Sequence, residues 1–174
     1  MVPLIFSSNE LKYVRNIIDN EAKSIMKEEN VNLPYFVGCM IELPRAVLTS
    51  DEIAKYADFF SFGTNDLTQM TYGFSRDDAS KFLDAYYEKH SLDFDPFKTI
   101  DEEGVGQFIY LSKCKGLKTN SNLEFGVCGE HAGNPKSAKF FRKLGLNYVS
   151  VSPYRIPCAI IALAQASISI KNGN

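Results

Sequence analysis

The sequence predicts an α/β fold in which helices cover a parallel sheet. Five short apolar runs alternate with longer stretches of helical periodicity, and each run is almost continuously apolar. Strands separated by helices form βαβ units and therefore lie parallel. Continuously apolar strands are typical of a sheet whose two faces are both covered. An open doubly wound sheet and a closed (β/α)8 barrel are both compatible with this pattern.

Each predicted strand is an apolar run that ends at a polar or turn-forming residue. The long region at residues 75–117 contains no further strand and includes an irregular loop at Asp95 and Pro96. The predicted strands cover residues 2–6, 35–41, 58–62, 123–127 and 148–152.

The predicted helices show apolar residues at helical spacing, and several also carry a capping signal. Two capping boxes, at residues 7–10 and 49–52, predict where the first two helices begin. Asn134 followed by Pro135 predicts the start of a later helix, and Gly145 predicts its end. The predicted helices cover residues 11–26, 49–56, 77–87, 105–115, 135–144 and 157–168.

The composition excludes several classes of protein. The 174 residues are 45% hydrophobic and 23% charged, with a net charge of −2, so we expect neither a nucleic acid nor an anionic membrane as partner. No apolar run reaches the roughly 18 residues of a membrane span, and the N-terminus lacks the basic region of a signal peptide. Four scattered cysteines without a CxxC pair indicate a reducing compartment, cytoplasmic or an organelle matrix.

Polar side chains collect at the C-terminal ends of the predicted strands. In a parallel sheet these ends open onto one face, where the active sites of such folds lie. The sequence therefore predicts an enzyme site at this edge of the sheet. The residues at the strand ends are Glu42, Asn65, Asp66, Cys128, Glu130, His131 and Ser152.

Two carboxylates, Glu42 and Asp66, close successive predicted strands and could stand side by side. Mg²⁺ and Mn²⁺ prefer oxygen ligands and keep positions open for water and substrate, so the pair suits a metal site. An alternative stays open, in which Glu42 pairs with Arg45 and Asp66 caps the segment that follows it.

The loops after the third and fourth strands offer further chemistry. Gly63 lets the backbone approach a ligand closely, and Thr64 and Asn65 can donate hydrogen bonds to a phosphate or carboxylate. Cys128 can act as a nucleophile or a proton donor, alone or paired with His131. In the alternative interpretation, His131 only caps or packs.

Three segments of the chain resemble the signatures of one enzyme family. Residues 38–46, 59–69 and 126–133 are similar, in order and spacing, to the three signatures of the PEP-utilising enzymes. Within that family, residues 73–78 and 104–107 resemble the pyruvate phosphate dikinases. The resemblance extends over almost the whole chain.

The resemblance implies the C-terminal part of a (β/α)8 TIM barrel of the phosphoenolpyruvate/pyruvate type, with about five βα units. A complete barrel usually takes about 250 residues, so we expect residues 1–174 to form a single partial domain. The nucleotide-binding and phosphohistidine domains would lie N-terminal to it in the same polypeptide. The parent protein would form a homodimer through this domain.

The resemblance also implies a role for the residues at the strand ends. Glu42 and Asp66 would bind Mg²⁺, which would hold pyruvate or phosphoenolpyruvate. Cys128 would exchange a proton with the substrate carbon as general acid/base, supported by Glu130 and His131. The substrate-binding residues would be Glu42, Gly63, Thr64, Asn65, Asp66 and Arg76.

The reaction implied by the resemblance converts ATP, phosphate and pyruvate into AMP, diphosphate and phosphoenolpyruvate. Because the phosphohistidine would lie outside this chain, we expect no turnover from the chain alone. Two other hypotheses stay open. One is a part of PEP synthase or of phosphotransferase-system enzyme I, and the other is a non-catalytic dimerisation module of the same fold.

Overall fold

The computed structural model describes residues 1–171 and contains one parallel sheet. Four strands lie in the order β1-β2-β3-β4, which confirms the predicted α/β class. The sheet does not close on itself within the described residues, so the barrel stays a prediction. The strands are β1 (Cys39–Ile41), β2 (Phe59–Gly63), β3 (Glu124–Cys128) and β4 (Tyr148–Val149).

One or more helices follow each strand, as βα units require. Short 3-10 turns occur at Ala54–Tyr56, Glu130–Gly133 and Pro153–Arg155. The α-helices are α1 (Ser8–Glu28), α2 (Pro44–Leu48), α3 (Ser50–Ile53), α4 (Thr64–Tyr72), α5 (Arg76–Ala79), α6 (Leu83–Glu88), α7 (Val105–Thr119), α8 (Pro135–Lys143) and α9 (Ile156–Lys171).

The hydrophobic core lies on one face of the sheet. Alternate side chains of the strands point to this face, and the buried rings of Phe60, Phe62 and Phe125 pack against one another there. The opposite face carries a row of side chains across the sheet that differ in size and polarity. The cross-strand neighbours of that row are Met40, Ser61, Gly126 and Tyr148.

The prediction of a first strand at residues 2–6 is wrong. Only Val2 pairs with the sheet, through backbone hydrogen bonds of 2.9 and 2.8 Å beside Cys39. Pro3 has no N–H to donate, and Leu4 has φ +52°, so the chain turns out of the ladder at this point. The described sheet therefore contains four strands and one bridge where five strands were predicted.

Two other strands are shorter than predicted. The run at residues 35–41 gives only the three residues of β1, because β2 begins too late to pair with its first half. The Val37 N–H instead donates to the Asp58 carboxylate at 2.7 Å. The run at residues 148–152 gives only the two residues of β4.

Two of the predicted helix starts are confirmed. Ser7 Oγ accepts from the Glu10 N–H at 3.2 Å, while the Glu10 carboxylate accepts from the Phe6 N–H at 3.0 Å, one residue earlier than in a capping box. Asn134 Oδ1 accepts from two backbone N–H groups of α8, at 2.9 and 3.1 Å. Gly145, with φ +70°, follows the end of that helix as predicted.

The second helix begins after Thr49 and continues as a 3-10 turn to Tyr56, as predicted, but its predicted cap and the single helix predicted at residues 77–87 are wrong. Thr49 does not cap α3, because its hydroxyl donates to the Arg45 carbonyl at 3.0 Å and closes the preceding α2. The helix predicted at residues 77–87 is divided into α5 and α6 by a turn at residues 80–82.

The segment Pro153–Lys171, which contains α9, is long and apolar enough to cross a membrane by length and composition alone. The sequence predicts no membrane partner. Ala159, Ala162 and Ala166 are buried, and α9 packs against α8. Core helices of soluble proteins can pass the same test, so a single such helix is weak evidence for a membrane.

Candidate active site

The strand ends meet at one edge of the sheet, as predicted. Gly63 and Cys128, the last residues of β2 and β3, are direct cross-strand neighbours. Ile41, the last residue of β1, lies opposite Phe62, so the next residue, Glu42, stands beside Gly63. Three neighbouring positions of this edge therefore carry a carboxylate, a glycine and a thiol.

Glu42 is almost completely buried, with 2% of its surface exposed. Its Oε1 accepts a hydrogen bond from the Leu4 N–H at 2.7 Å. A Cβ atom on Gly63 would collide with the other carboxylate oxygen, so glycine provides the room that Glu42 occupies. Arg45 donates to the Phe6 carbonyl and lies over the Phe6 ring, so the alternative in which it pairs with Glu42 is wrong.

Asp66 belongs to a different element but lies close enough to Glu42 for its carboxylate to raise the pKa of Glu42. The prediction of a loop at residues 63–66 is wrong, because α4 begins at Thr64 and Asp66 lies in the first turn of that helix. Gln69 donates from Nε2 to Asp66 Oδ1 at 3.3 Å. Burial raises the pKa of Glu42, a backbone N–H opposes this shift, and the Asp66 carboxylate adds to it.

Two carboxylates held this close together suit a divalent cation. Mg²⁺ commonly takes one or two protein carboxylates together with water and substrate oxygens. A cation would also relieve the repulsion that Asp66 exerts on Glu42. Across residues 1–171 there is no cluster of three or more His, Cys, Asp or Glu side chains that could hold a metal. The donor set therefore fits Mg²⁺ bound together with a substrate.

Cys128 has two hydroxyl groups near it that were not identified from the sequence. Ser61 Oγ donates to Cys128 Sγ at 3.4 Å, and the thiol donates to the Phe62 carbonyl at 3.7 Å. The Tyr148 ring lies over Gly126, in the same cross-strand row as Ser61. A serine inside an otherwise apolar strand, two residues before Gly63, is the sequence signal that could have revealed this group.

The surroundings of Cys128 keep its thiol protonated. Burial raises the pKa of Cys128, the Ser61 hydroxyl opposes this shift, and the carboxylates of Glu42 and Asp66 add to it. The thiolate is the nucleophilic form of cysteine, and a raised pKa makes it scarce at neutral pH. Of the two chemistries open to this residue, proton donation is therefore favoured over nucleophilic attack.

The turn after Cys128 is fastened to the start of α4. The Thr64 hydroxyl lies 3.1 Å from the Cys128 carbonyl oxygen, and Asn65 Oδ1 accepts from the Glu130 N–H at 3.3 Å. Gly129 has φ +105°, and a Cβ there would lie 2.9 Å from Thr64 Oγ1, so the turn requires glycine. The Thr64 hydroxyl is buried and engaged, so it is not free to bind a ligand.

His131 does not form a pair with the thiol. Its ring is fully buried, with Nδ1 2.8 Å from Thr64 Oγ1 and Nε2 2.7 Å from the Pro96 carbonyl oxygen. Both ring nitrogens are thus engaged, and the predicted alternative of a Cys128–His131 nucleophile pair is wrong. Burial lowers the pKa of His131, and the Pro96 carbonyl opposes this shift.

Arg76 lies at the rim of the site rather than at its centre. Its Nη2 is 3.6 Å from Glu130 Oε1, both side chains are about half exposed, and both line a cavity of about 570 Å³. Gln69 accepts from the Arg76 N–H at 2.6 Å and donates to Asp66. Arg76 is therefore linked to the carboxylate pair through a side chain and not by direct contact.

Comparison with known proteins assigns the chain to a family. A family model described as PEP-utilising enzyme, PEP-binding domain, matches residues 1–168. The pyruvate, phosphate dikinase of Clostridium symbiosum is 52% identical over 171 residues, which cover 98% of this chain and 20% of that relative. The Rhizobium meliloti (strain 1021) enzyme is 52% identical over 97% of this chain and 19% of its own length. The chloroplastic pyruvate, phosphate dikinase of Flaveria bidentis is 52% identical over 97% of this chain and 18% of its own length.

The chain spans about a fifth of the length of these curated relatives, which include bacterial and chloroplastic enzymes. The family match covers every residue of the site described above. The chain therefore belongs to the PEP-utilising enzyme family, as its PEP-binding domain.

Proposed function

We propose that this chain is the C-terminal, substrate-binding part of a pyruvate, phosphate dikinase. The observation that carries the proposal is the proximity of two carboxylates, buried Glu42 and half-buried Asp66, to the protonated thiol of Cys128. In the whole enzyme the reaction would convert ATP, phosphate and pyruvate into AMP, diphosphate and phosphoenolpyruvate. Relatives at 52% identity carry the dikinase name, which favours this reaction over those of PEP synthase and enzyme I.

Glu42 and Asp66 would hold Mg²⁺ in this site. When bound, the cation supplies Lewis-acid stabilisation of the negative charge that develops on the substrate. Gly63 gives the Glu42 carboxylate the room it needs beside β2. Asn65, with the backbone of Gly63 and Thr64, would bind the carboxylate or phosphoryl group of the substrate.

Cys128 would move the proton that distinguishes enolpyruvate from pyruvate. The S–H bond breaks as the proton passes to the methylene carbon, and the reverse step returns the proton to sulfur. The Ser61 hydroxyl donates to this sulfur and would stabilise the thiolate, and Tyr148 lies in the same cross-strand row as Ser61. Arg76, with its planar guanidinium, would bind the phosphoryl group in exchange for Glu130.

Other parts of the enzyme would lie elsewhere in a longer polypeptide. In this proposal residues 1–174 are the C-terminal portion of a (β/α)8 barrel that follows the nucleotide-binding and phosphohistidine domains. The chain's share of its relatives, about a fifth, supports this arrangement. A homodimer formed through this domain, in the cytoplasm or an organelle matrix, belongs to the same proposal. The four free cysteines fit such a reducing compartment.

Calorimetry with oxalate, which mimics enolpyruvate, tests the site. We expect the chain to bind oxalate only when Mg²⁺ is present. Glu42→Ala and Asp66→Ala should each weaken this binding by about tenfold or more, because each removes a metal ligand. Glu21→Ala, on the exposed surface of α1, is the matched control and should bind as the wild type does.

Circular dichroism shows whether each variant folds. Two results would contradict the proposal and favour the non-catalytic module. One is the absence of Mg²⁺-dependent oxalate binding in the wild-type chain, and the other is binding that neither substitution weakens.

A further inference from the structure

His131 is a buried titratable side chain that the proposed chemistry leaves without a role. It lies in the 3-10 turn after β3, three residues beyond Cys128, and is fully buried. Its two ring nitrogens contact Thr64 and Pro96, which are far apart in the sequence. A buried imidazole with partners in two separate segments holds those segments in a fixed relation to each other.

The partner atoms determine which ring nitrogen carries the proton. The Pro96 carbonyl oxygen, 2.7 Å from Nε2, can only accept a hydrogen bond, so Nε2 must be protonated. Burial lowers the pKa of His131 and thereby favours the neutral ring with a single proton. Nδ1 is then an acceptor, and the Thr64 hydroxyl, 2.8 Å away, must donate to it.

Thr64 transmits this constraint to the active site. Its hydroxyl has one proton, so a bond donated to His131 excludes one donated to the Cys128 carbonyl, 3.1 Å away. The bond to His131 therefore fixes the rotation of the buried Thr64 side chain. Thr64 is the first residue of α4, directly before Asn65 and Asp66, so the start of the helix is fixed with it.

The other partner, Pro96, belongs to a segment that borders the rim of the site. The same segment makes two more hydrogen bonds, both to residues at the start of α8. Thr99 Oγ1 accepts from Asn134 Nδ2 at 3.3 Å, and the Ile100 N–H donates to Ser137 Oγ at 3.0 Å. Neighbouring residues of this segment line the cavity that contains Arg76. His131 thus connects a wall of that cavity to the turn that carries the thiol.

We infer that His131 is a positioning residue which, as the neutral tautomer protonated on Nε2, joins the Pro96 segment to the start of α4 through Thr64. Because His131 lies in the turn directly after Cys128, this arrangement holds that turn against the start of α4, which carries Asn65 and Asp66. The inference deepens the proposed function and rests on it for any effect on substrate binding. The tautomer of the ring is a property of the chain alone.

Nitrogen-15 NMR of the chain, labelled in its histidine side chains, measures the tautomer directly. We expect His131 to show a neutral ring with a slowly exchanging proton on Nε2, and exposed His90 is the internal comparison. Thr64→Val removes the hydroxyl but keeps the shape, and should shift the Nδ1 resonance of His131. Thr64→Ser should leave that resonance close to its wild-type position.

A proton on Nδ1 in the wild-type chain would overturn the inference, and this measurement needs no variant to fold. An Nδ1 resonance that is the same in folded Thr64→Val and in the wild type would also overturn it.

The effect on substrate binding is measured separately, by calorimetry with oxalate and Mg²⁺. Thr64→Val should weaken binding by about tenfold, the loss expected from one buried hydrogen bond, and Thr64→Ser should restore it. Equal binding by Thr64→Val and the wild type would overturn the positioning role. If the wild-type chain binds no oxalate, the proposed function fails together with the positioning role, whereas the tautomer is still decided by NMR.

Discussion

The charged groups at the strand ends control the state of the thiol. Burial raises the pKa of both Glu42 and Cys128, and the carboxylates of Glu42 and Asp66 raise that of Cys128 further. Burial is the main reason that the thiol keeps its proton, and the negative charges of the neighbouring carboxylates add to this effect. Such surroundings suit a residue that donates a proton to carbon, because they keep the thiol in its protonated form.

The rate at which iodoacetamide alkylates Cys128 should report this protonation, because only the thiolate reacts. We expect the rate to go on rising above pH 9.0, the ordinary pKa of a cysteine, since that of Cys128 is raised. Mass spectrometry of the peptides follows Cys128 separately, with exposed Cys158 as a control for the reagent. Ser61→Ala removes a hydrogen bond that lowers the pKa and should move the profile to higher pH. A rate that levels off below pH 9.0 would refute the raised pKa.

Glu42→Gln should stabilise the chain at neutral pH in a buffer that contains EDTA. The raised pKa of Glu42 means that the folded chain holds this proton more tightly than the unfolded chain does. Ionisation of Glu42 therefore reduces stability as the pH rises above its ordinary value of 4.5. The amide removes this cost, keeps an acceptor for the Leu4 N–H, and can donate to Asp66.

Thermal unfolding monitored by circular dichroism measures the effect of Glu42→Gln. The melting temperature of the variant should exceed that of the wild type at neutral pH, and the difference should vanish as the pH falls below 4.5. A variant that melts earlier than the wild type at neutral pH would show that the buried carboxylate stabilises the fold.

The sequence identifies some residues of the site and misses others for a physical reason. Glu42 and Cys128 each end an apolar run, and parallel strands bring such ends together whatever their exact register. Ser61 and Tyr148 gain their place from the register of β2, β3 and β4, which local sequence does not encode. His131 depends on Pro96, whose carbonyl is brought to it by tertiary structure alone.

Among the secondary-structure elements, helix starts that are set by nearby capping residues are predicted better than the lengths of the strands. Ser7 and Asn134 bond to N–H groups within the first turns of their own helices, so a few residues are enough to define those starts. A strand extends only as far as its partner does, and residues 35–37 lie before the start of β2. The same dependence limits β4 to two residues.

Removal of the cap on α8 should destabilise the chain measurably. Asn134→Ala eliminates the acceptor for two backbone N–H groups and should cost about 1 kcal/mol, which lowers the melting temperature by about 2–4 °C in a chain of this size. Asn134→Asp keeps the acceptor and should recover most of this loss, although it loses the bond donated to Thr99. Asn32→Ala, at an exposed loop position, is the matched control.

Thermal unfolding of these three variants separates the two contacts of Asn134. Equal losses in Asn134→Ala and Asn134→Asp would assign the stability to the bond with Thr99 and contradict the capping role.

For the molecule as a whole, the proposed reaction raises the question of which residue would carry the phosphoryl group. The chain contains two histidines. Both ring nitrogens of His131 are engaged, and the ring is fully buried. His90 has φ +52° and lies in the turn after α6 rather than at a strand end. His131 is therefore inaccessible to a phosphoryl donor, and exposed His90 is not among the residues at the strand ends.

We expect the chain alone to form no phosphoenolpyruvate from ATP, phosphate, pyruvate and Mg²⁺. Phosphorus-31 NMR of the reaction mixture measures the product, and the full-length Clostridium symbiosum enzyme under the same conditions is the positive control. Phosphoenolpyruvate labelled with phosphorus-32 should likewise leave no acid-labile label on the chain. Product above the level given by Cys128→Ala, or a label that His90→Gln abolishes, would show that the chain carries the phosphoryl group itself. The site would then be a complete catalytic unit rather than the substrate-binding part of a larger enzyme.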